Sequence, residues 1–498
     1  MNAARLWLWS LALFVTTLFL HTRLNTFPFY YHPDEPGKVE QVLEMRAWNF
    51  HHPMLLLSAT KLVSSSARTE QTVVEIGRWV SAVFTAGAIV ALSLLAYVWR
   101  GWVVAMIAGL TLMLHHQLFE LSHYMKEDTA LLFGVSVAFL GAYVFSKKHG
   151  TAAAMLLGTG CGLAISGKYL GIVTLVLAVP VLCNRDVKGR PWLAALSAML
   201  LVLIAVNFPV LRDWHTFTSS FTRETRLVVE GQGQMTQNVP HTRYWNVFLA
   251  NTTPVMWLLL LALLWSCARH RREWRALDWM TLAFPFVFAI ALSFSPKDND
   301  RYFLPATAIF TLLAAVGICE VARHFGGRER MVEIIVGSIL ILAQLPSWTA
   351  DRGGLIKYWQ AFQRDDTAEL AAWLRANTKP ADIIAKDDKV RLPDTKRHGT
   401  GINAQPLPNQ ILSDDYVADI GTITELQNIG VTHIIITEST YKKFERAGLK
   451  PKKDEADNYD RRKRFYSDLR RDFEPIRLWP RGTVLYLHPG LEIYRIVP

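Results

Sequence analysis

Two places in the chain set adjacent carboxylates beside a helix start. In Tyr31-His32-Pro33-Asp34-Glu35-Pro36 the last proline suits the first position of a helix, which would put Asp34 and Glu35 at its N-terminus, where the dipole favours negative charge. A carboxylate kept ionised there can take a proton from an acceptor hydroxyl as a general base, although a plain helix cap would use the same residues. The second place is Lys126-Glu127-Asp128, after His123 and Tyr124 and directly before an apolar run. Paired acids beside a lysine can bind a divalent cation, hold a catalytic network, or simply start the helix. Two further places are cationic. Lys168, in Ser166-Gly167-Lys168-Tyr169, interrupts a long apolar run. At such a break an ammonium and freed backbone N–H groups converge in a way that suits a phosphate, with snorkelling to the membrane interface as the alternative. Lys297 and Arg301, followed by Tyr302, stand at the mouth of another apolar run. There the arginine fork suits a phosphate, and interfacial anchoring is the other use.

The elements that must position these groups are membrane spans. Apolar runs of about the length a helix needs to cross a bilayer number about eleven. They fall near 6–22, 79–98, 102–119, 129–145, 152–166, 169–183, 192–210, 246–266, 279–295, 302–321 and 331–347. The 152–166 and 169–183 runs are either two spans or one broken span. The first run follows Arg5 as a signal peptide would, but Leu20 leads into His21 and Arg23 with no small-residue cleavage pattern, so an uncleaved anchor is expected.

Counted over alternate short loops, Lys and Arg number fourteen on one side and eight on the other. The positive-inside rule makes the richer set cytoplasmic, and an odd number of spans then puts the N-terminus inside and the charged region after residue 348 outside. Most of the formal net charge of +11 belongs to the cytoplasmic loops, which removes the reason to expect nucleic-acid binding. The four cysteines, Cys161, Cys183, Cys267 and Cys319, all lie in or beside apolar runs and lack CxxC spacing.

Two parts result: a membrane part, 1–348, and a soluble α/β part, 349–498. The loop 23–78 in the first reads as amphipathic surface helices carrying Val39, Val42, Leu43, Trp48 and Phe50. The loop 211–245 is either a lid or acceptor-binding element or a solvated connection. In the second part a helix is expected over 366–376, strands over 382–385, 433–437, 484–487 and 492–497, and a solvated helix face over 451–472.

Together the motifs resemble the GT-C superfamily of glycosyltransferases, in its branch of protein O-mannosyltransferases and lipid A aminoarabinose transferases. His32-Pro33-Asp34-Glu35 is similar to the family's acidic motif after the first span. His51-His52-Pro53-Met54 partly matches the proline motif before the second, Glu127-Asp128 the second acidic motif, Gly158 to Lys168 the Gly-rich run ending in Lys, and Arg301-Tyr302-Phe303-Leu304-Pro305 the opening of a later span. The family's Lys-Pro-Pro element is missing.

The resemblance implies a polytopic α-helical fold with a C-terminal α/β domain, and a multi-pass protein of the cytoplasmic (inner) membrane. It implies a donor in the form of a polyprenyl-phosphate sugar and an acceptor that is a glycan, a lipid or a protein. It implies Asp34 as base with Glu35 beside it, Glu127, Asp128 and His52 in the acceptor side or network, and Lys168, Arg301, Lys126, Lys297 and Tyr302 around the donor phosphate. Transfer in this branch typically inverts the anomeric carbon. No cofactor is implied with certainty, and a divalent cation stays open. A transporter or flippase of a lipid-linked glycan would also have many spans, but it should show two similar halves, and 1–175 does not repeat in 176–348. A non-catalytic scaffold would leave the outer charged motifs without a use.

Overall fold

The computed structural model describes residues 3–28, 30–44, 49–66, 69–182, 190–230, 247–293, 300–346, 354–393, 406–445, 451 and 455–496. Among these, the chain forms two compact units, one containing Phe27–Pro36 and the segment from Lys357 onward, the other the rest.

The first unit is a bundle of apolar helices. Among the described residues, five helices are long and apolar enough to cross a membrane: α1 (Ala3–Thr22), α4 (Glu70–Arg100), α7 (Glu127–Lys148), α14 (Ala276–Ser293) and the helix of Arg301–Phe325, whose α-helical body is α15 (Leu304–Ala322). Shorter apolar helices are α8 (Thr151–Gly167), α9 (Thr174–Leu182), α10 (Pro191–Val206) and α13 (Pro254–Arg269). α16 (Glu329–Leu342) completes the bundle, and α17 (Leu355–Ala361) is the next described helix in the chain.

α15 is apolar around its whole circumference and buried along nearly its whole length, which makes it the centre of the bundle. α1 instead exposes Trp7, Leu8, Leu11, Val15 and Phe19, the pattern of a helix whose outer surface meets lipid. The expected straight span over 102–119 is two helices, α5 (Trp102–Met113) and α6 (His116–Ser122), bent by 56°. The cause is His115: it accepts the Gln117 N–H as a helix cap, and its Nε2 lies 2.9 Å from the Asn251 carbonyl.

α7 and α8 pack at backbone contact. A Cβ added at Gly134 would lie 2.1 Å from the Ala164 nitrogen, one at Gly160 2.2 Å from that of Ala138, and one at Gly167 2.6 Å from that of Leu131. The Gly-rich sequence 158–167 is therefore a small-residue seam of the kind that lets membrane helices approach closely. α8 ends at Lys168, which is extended, and a 3-10 turn, Tyr169–Val173, leads into α9. The loop 23–78 contains α2 (Glu35–Glu44) and α3 (Leu55–Val63), with Val39, Val42 and Phe50 buried and Leu43 partly exposed. Beyond α11 (Phe208–Arg212), the first part of 211–245 is a helix, α12 (Trp214–Glu230). Trp48 and Cys183 lie outside the described residues.

The second unit is built on a five-stranded sheet of order β2-β1-β3-β5-β4. β1 (Ile383–Asp387), β2 (Gln410–Asp414) and β3 (Val431–Thr437) run parallel, and β4 (Pro475–Trp479) and β5 (Leu491–Arg495) add an antiparallel edge. Helices α18 (Asp366–Asn377), α19 (Val417–Ile420), α20 (Ile423–Asn428), α21 (Glu438–Glu445) and α22 (Ala456–Asp472) accompany the sheet. One core gathers Ile434, Ile436, Phe444, Tyr466 and Leu469, another Leu370, Leu374, Ile384, Ile435 and Ile493.

The expected strand over 484–487 is a turn instead. Val484 and Leu487 are both buried, but the His488 amide closes back on the Val484 carbonyl, so the apolar pair is used at a spacing of three and not two. β2 and β4 were not expected, because their side chains are mostly exposed and their sequences mixed. Within the 451–472 stretch α22 is an amphipathic helix whose Tyr459, Phe465, Tyr466 and Leu469 enter the core while its charged face stays out.

Candidate active site

In the first unit a group of charges far apart in sequence meets at the start of α7. Glu127 and Asp128 form the first turn, and both are buried. Asp128 Oδ1 accepts a hydrogen bond of 2.6 Å from Lys168 Nζ, and Arg301 Nε stands 3.4 Å from Oδ2. Tyr302 lies beneath both cations, with the Lys168 ammonium 3.9 Å and the Arg301 guanidinium 5.8 Å from its ring centre. Such a ring face attracts positive charge without neutralising it. Lys126 is also buried and within electrostatic reach of Asp128, and Glu224 of α12 reaches Lys168 in the same way. Glu127 forms an ion pair with Lys38 of α2.

Lys126, Lys168 and Arg301 thus gather around Asp128, with Glu224 within reach of Lys168. Cations converging on one carboxylate in this way can also meet an anion such as a phosphate.

The seam between α7 and α8 sets the central distance. Gly167 precedes Lys168 and touches Leu131, three residues after Asp128, so a close helix approach becomes a fixed Lys168–Asp128 spacing. Asn207, at the end of α10, was not singled out by its sequence. Its Nδ2 donates 2.8 Å to Ser166 Oγ and its Oδ1 accepts 3.0 Å from the Met54 N–H, while Ser58 Oγ donates to the Val206 carbonyl. Tyr169 donates 2.8 Å to the Phe50 carbonyl. These bonds stitch residues 50–58 onto the break that carries Lys168. The only sequence signal was a polar residue at the end of an apolar run, followed by Phe208-Pro209. His52 is partly buried in the bend before α3. Lys297 lies outside the described residues.

Asp34 and Glu35 belong to the second unit, in a segment docked there by its own side chains. Tyr31 donates to Asp365, the His32 ring stands 4.3 Å from that of Tyr486, and the Asp34 amide donates to His32 Nδ1. Burial pushes the Asp365 carboxyl up, against the pull of its bonds to Tyr31 and to the Thr367 and Ala368 amides. Asp34 is partly exposed, and Glu35 is fully buried in the first turn of α2.

Among the described residues no cluster of three His, Cys, Asp or Glu could hold a metal. Glu127 and Asp128 already face ammonium or guanidinium groups, which would oppose a cation there.

Across its whole length the chain is similar to the ArnT structure from Cupriavidus metallidurans bound to undecaprenyl phosphate, with a TM-score of 0.52, 14% identity, and coverage of 100% of this chain and 99% of that one. The chain has the GT-C fold. Residues 6–217 match the dolichyl-phosphate-mannose-protein mannosyltransferase family, a segment that takes in the Asp34-Glu35, Glu127-Asp128 and Lys168 motifs. The archaeal oligosaccharyltransferase AglB from Archaeoglobus fulgidus is also similar, with a TM-score of 0.49 and 12% identity over 88% of this chain and 70% of that one. No curated protein matches by sequence.

Proposed function

We propose that this GT-C chain is a glycosyltransferase that moves a sugar from a polyprenyl-phosphate donor to an acceptor at the outer face of the cytoplasmic membrane. The observation that carries this reading is the convergence of Lys168 and Arg301 on the buried Asp128 carboxylate, with Lys126 beside them, an arrangement of cations that suits a phosphodiester. The neighbouring fold in the ArnT structure holds undecaprenyl phosphate, the kind of lipid phosphate that is left when the sugar of such a donor departs.

In the reaction Asp34 takes the proton of the acceptor hydroxyl, whose oxygen then attacks the anomeric carbon. The bond from that carbon to the phosphate oxygen breaks, and its electron pair stays on the phosphate. Lys168 and Arg301 stabilise the charge that grows there, and Asp128 holds the two cations in place against their mutual repulsion. The acceptor is a protein, a lipid or a glycan. The chain is a multi-pass protein of the cytoplasmic membrane, with the membrane part over 1–348 and the part over 349–498 outside.

Asp34→Asn keeps size and loses the base, so transfer should fall by a factor of more than a hundred while a polyprenyl-phosphate analogue binds as before. Transfer within tenfold of wild type by the purified variant in nanodiscs would remove Asp34 from this role. A transporter or flippase of a lipid-linked glycan would move labelled donor across vesicles without consuming acceptor.

A further inference from the structure

The carboxyl edge of the parallel strands in the second unit gathers polar groups that glycosyl transfer leaves unused. Its parallel strands have the order β2-β1-β3, so the chain leaves β1 toward one neighbour and later returns on its other side. In open α/β sheets the carboxyl ends of strands at such a switch point form a ligand crevice. Three connections meet there: the turn after β1 with Lys389, the loop after β2 with Asp415 and Tyr416, and α21 after β3 with Lys443.

The Lys389 and Lys443 amines lie within hydrogen-bonding distance of each other, and Lys443 Nζ is 3.4 Å from the Tyr416 hydroxyl. Tyr416 is fixed from its other side by Arg462, 4.1 Å from its ring centre, which is itself bound to both Asp419 oxygens. Below them Asp387 is fully buried. It accepts from the Val417 and Thr437 amides and from the Tyr466 hydroxyl, so its oxygens are already engaged. Asp415 is exposed, and both acids attract Lys443. The two amines disfavour each other's charge, while Asp387, Asp415 and the Tyr416 ring, whose centre is 5.4 Å from Lys443 Nζ, attract the Lys443 ammonium. An oxyanion placed between the two amines turns the repulsion into two charge-assisted hydrogen bonds, with the Tyr416 hydroxyl as a third donor.

We propose that Lys389, Lys443 and Tyr416 form a binding site for a phosphate monoester at the carboxyl edge of β1 and β3. Lysines suit this ligand as rotatable point charges, and a dianion matches two ammonium groups. The phosphate is carried by a soluble ester or by a lipid headgroup. Burial and the neighbouring Lys389 hold the Lys443 amine down to about 7, so without ligand it is partly neutral and nucleophilic near neutral pH.

The test uses the full chain in nanodiscs, treated at pH 7.5 with an amine-acylating reagent and read peptide by peptide by mass spectrometry. Lys443 should react at least five times faster than the neighbouring Lys442, and glycerol 3-phosphate at millimolar concentration should slow Lys443 at least fivefold while leaving Lys442 unchanged. A second arm replaces the soluble ester with phosphatidic acid in the nanodisc; protection in that arm alone identifies a headgroup as the source. Lys389→Gln, an exposed substitution, should slow Lys443 acylation and abolish protection. Lys443 reacting like Lys442, or no protection in either arm, overturns the proposal. Binding of a polyprenyl-phosphate analogue should be unaffected by Lys389→Gln, which separates this site from the one around Lys168.

Discussion

Gly167→Ala tests whether the seam between α7 and α8 sets the proposed donor site. The added Cβ would lie 2.6 Å from the Leu131 nitrogen and 2.7 Å from the Ala130 carbonyl carbon, both backbone atoms that cannot rotate away. Opening the first contact to about 3.4 Å moves the end of α8 by roughly 0.8 Å. Lys168 is the next residue and moves with it. Stretching the Lys168–Asp128 contact from 2.6 Å to about 3.4 Å loses roughly 1.5 kcal/mol at an effective dielectric of about 20, and a Lys168–phosphate contact displaced as far would lose a similar amount, about a tenfold loss of affinity. Overpacking itself should cost about 1–3 kcal/mol of stability. The assay is titration of the purified variant with a polyprenyl-phosphate analogue, beside thermal unfolding. Gly150→Ala is the control, because a Cβ there meets nothing closer than the Lys148 carbonyl at 3.9 Å. If Gly167→Ala binds the analogue as wild type does, the seam does not position Lys168.

Asp128→Asn should destabilise the first unit by about 3–5 kcal/mol, since it leaves Lys168 and Arg301 facing each other, and adding Lys168→Met should recover part of the loss in thermal unfolding. Asn207→Ala removes the partners of the Met54 N–H and of Ser166, at a cost of about 1–3 kcal/mol. It should speed amide exchange over residues 54–58 and weaken donor binding, whereas exchange unchanged from wild type would make the stitch irrelevant. Burial holds the Asp387 carboxyl up at about 6, against roughly 3.9 in an unfolded chain. Because the folded value is the higher one, the stability it confers is complete below about pH 4 and lost as the pH rises through 6, up to about 3 kcal/mol. Amide exchange over β3 should therefore quicken between pH 4 and 7, and a profile no steeper than that of Asp387→Asn would refute the assignment.

Apolar runs long enough to cross a bilayer, and the carboxylates and cations placed at their ends, were legible in the sequence because both are local properties. A helix that must satisfy every backbone group in lipid announces itself by length and composition alone. The same holds for β1, β3 and β5, whose side chains enter the core and whose sequences are accordingly apolar. Exposed strands β2 and β4 gave no such signal, and the apolar 484–487 run gave a false one, because pairing with a neighbour and not composition decides what a short segment becomes. Likewise the bend at His115 depends on a carbonyl 136 residues away.

The sequence by itself determined a membrane helical bundle with a small α/β unit, and named Asp128, Lys168 and Arg301 as separate candidates. Only the tertiary structure decided that the two cations share the Asp128 carboxylate, that the glycines before Lys168 are there for helix contact, and that Asn207 ties residues 50–58 to the break. The reason is physical. Lys168 meets Asp128 across forty residues, and that meeting is set by how closely two backbones approach, which no local pattern of side chains encodes.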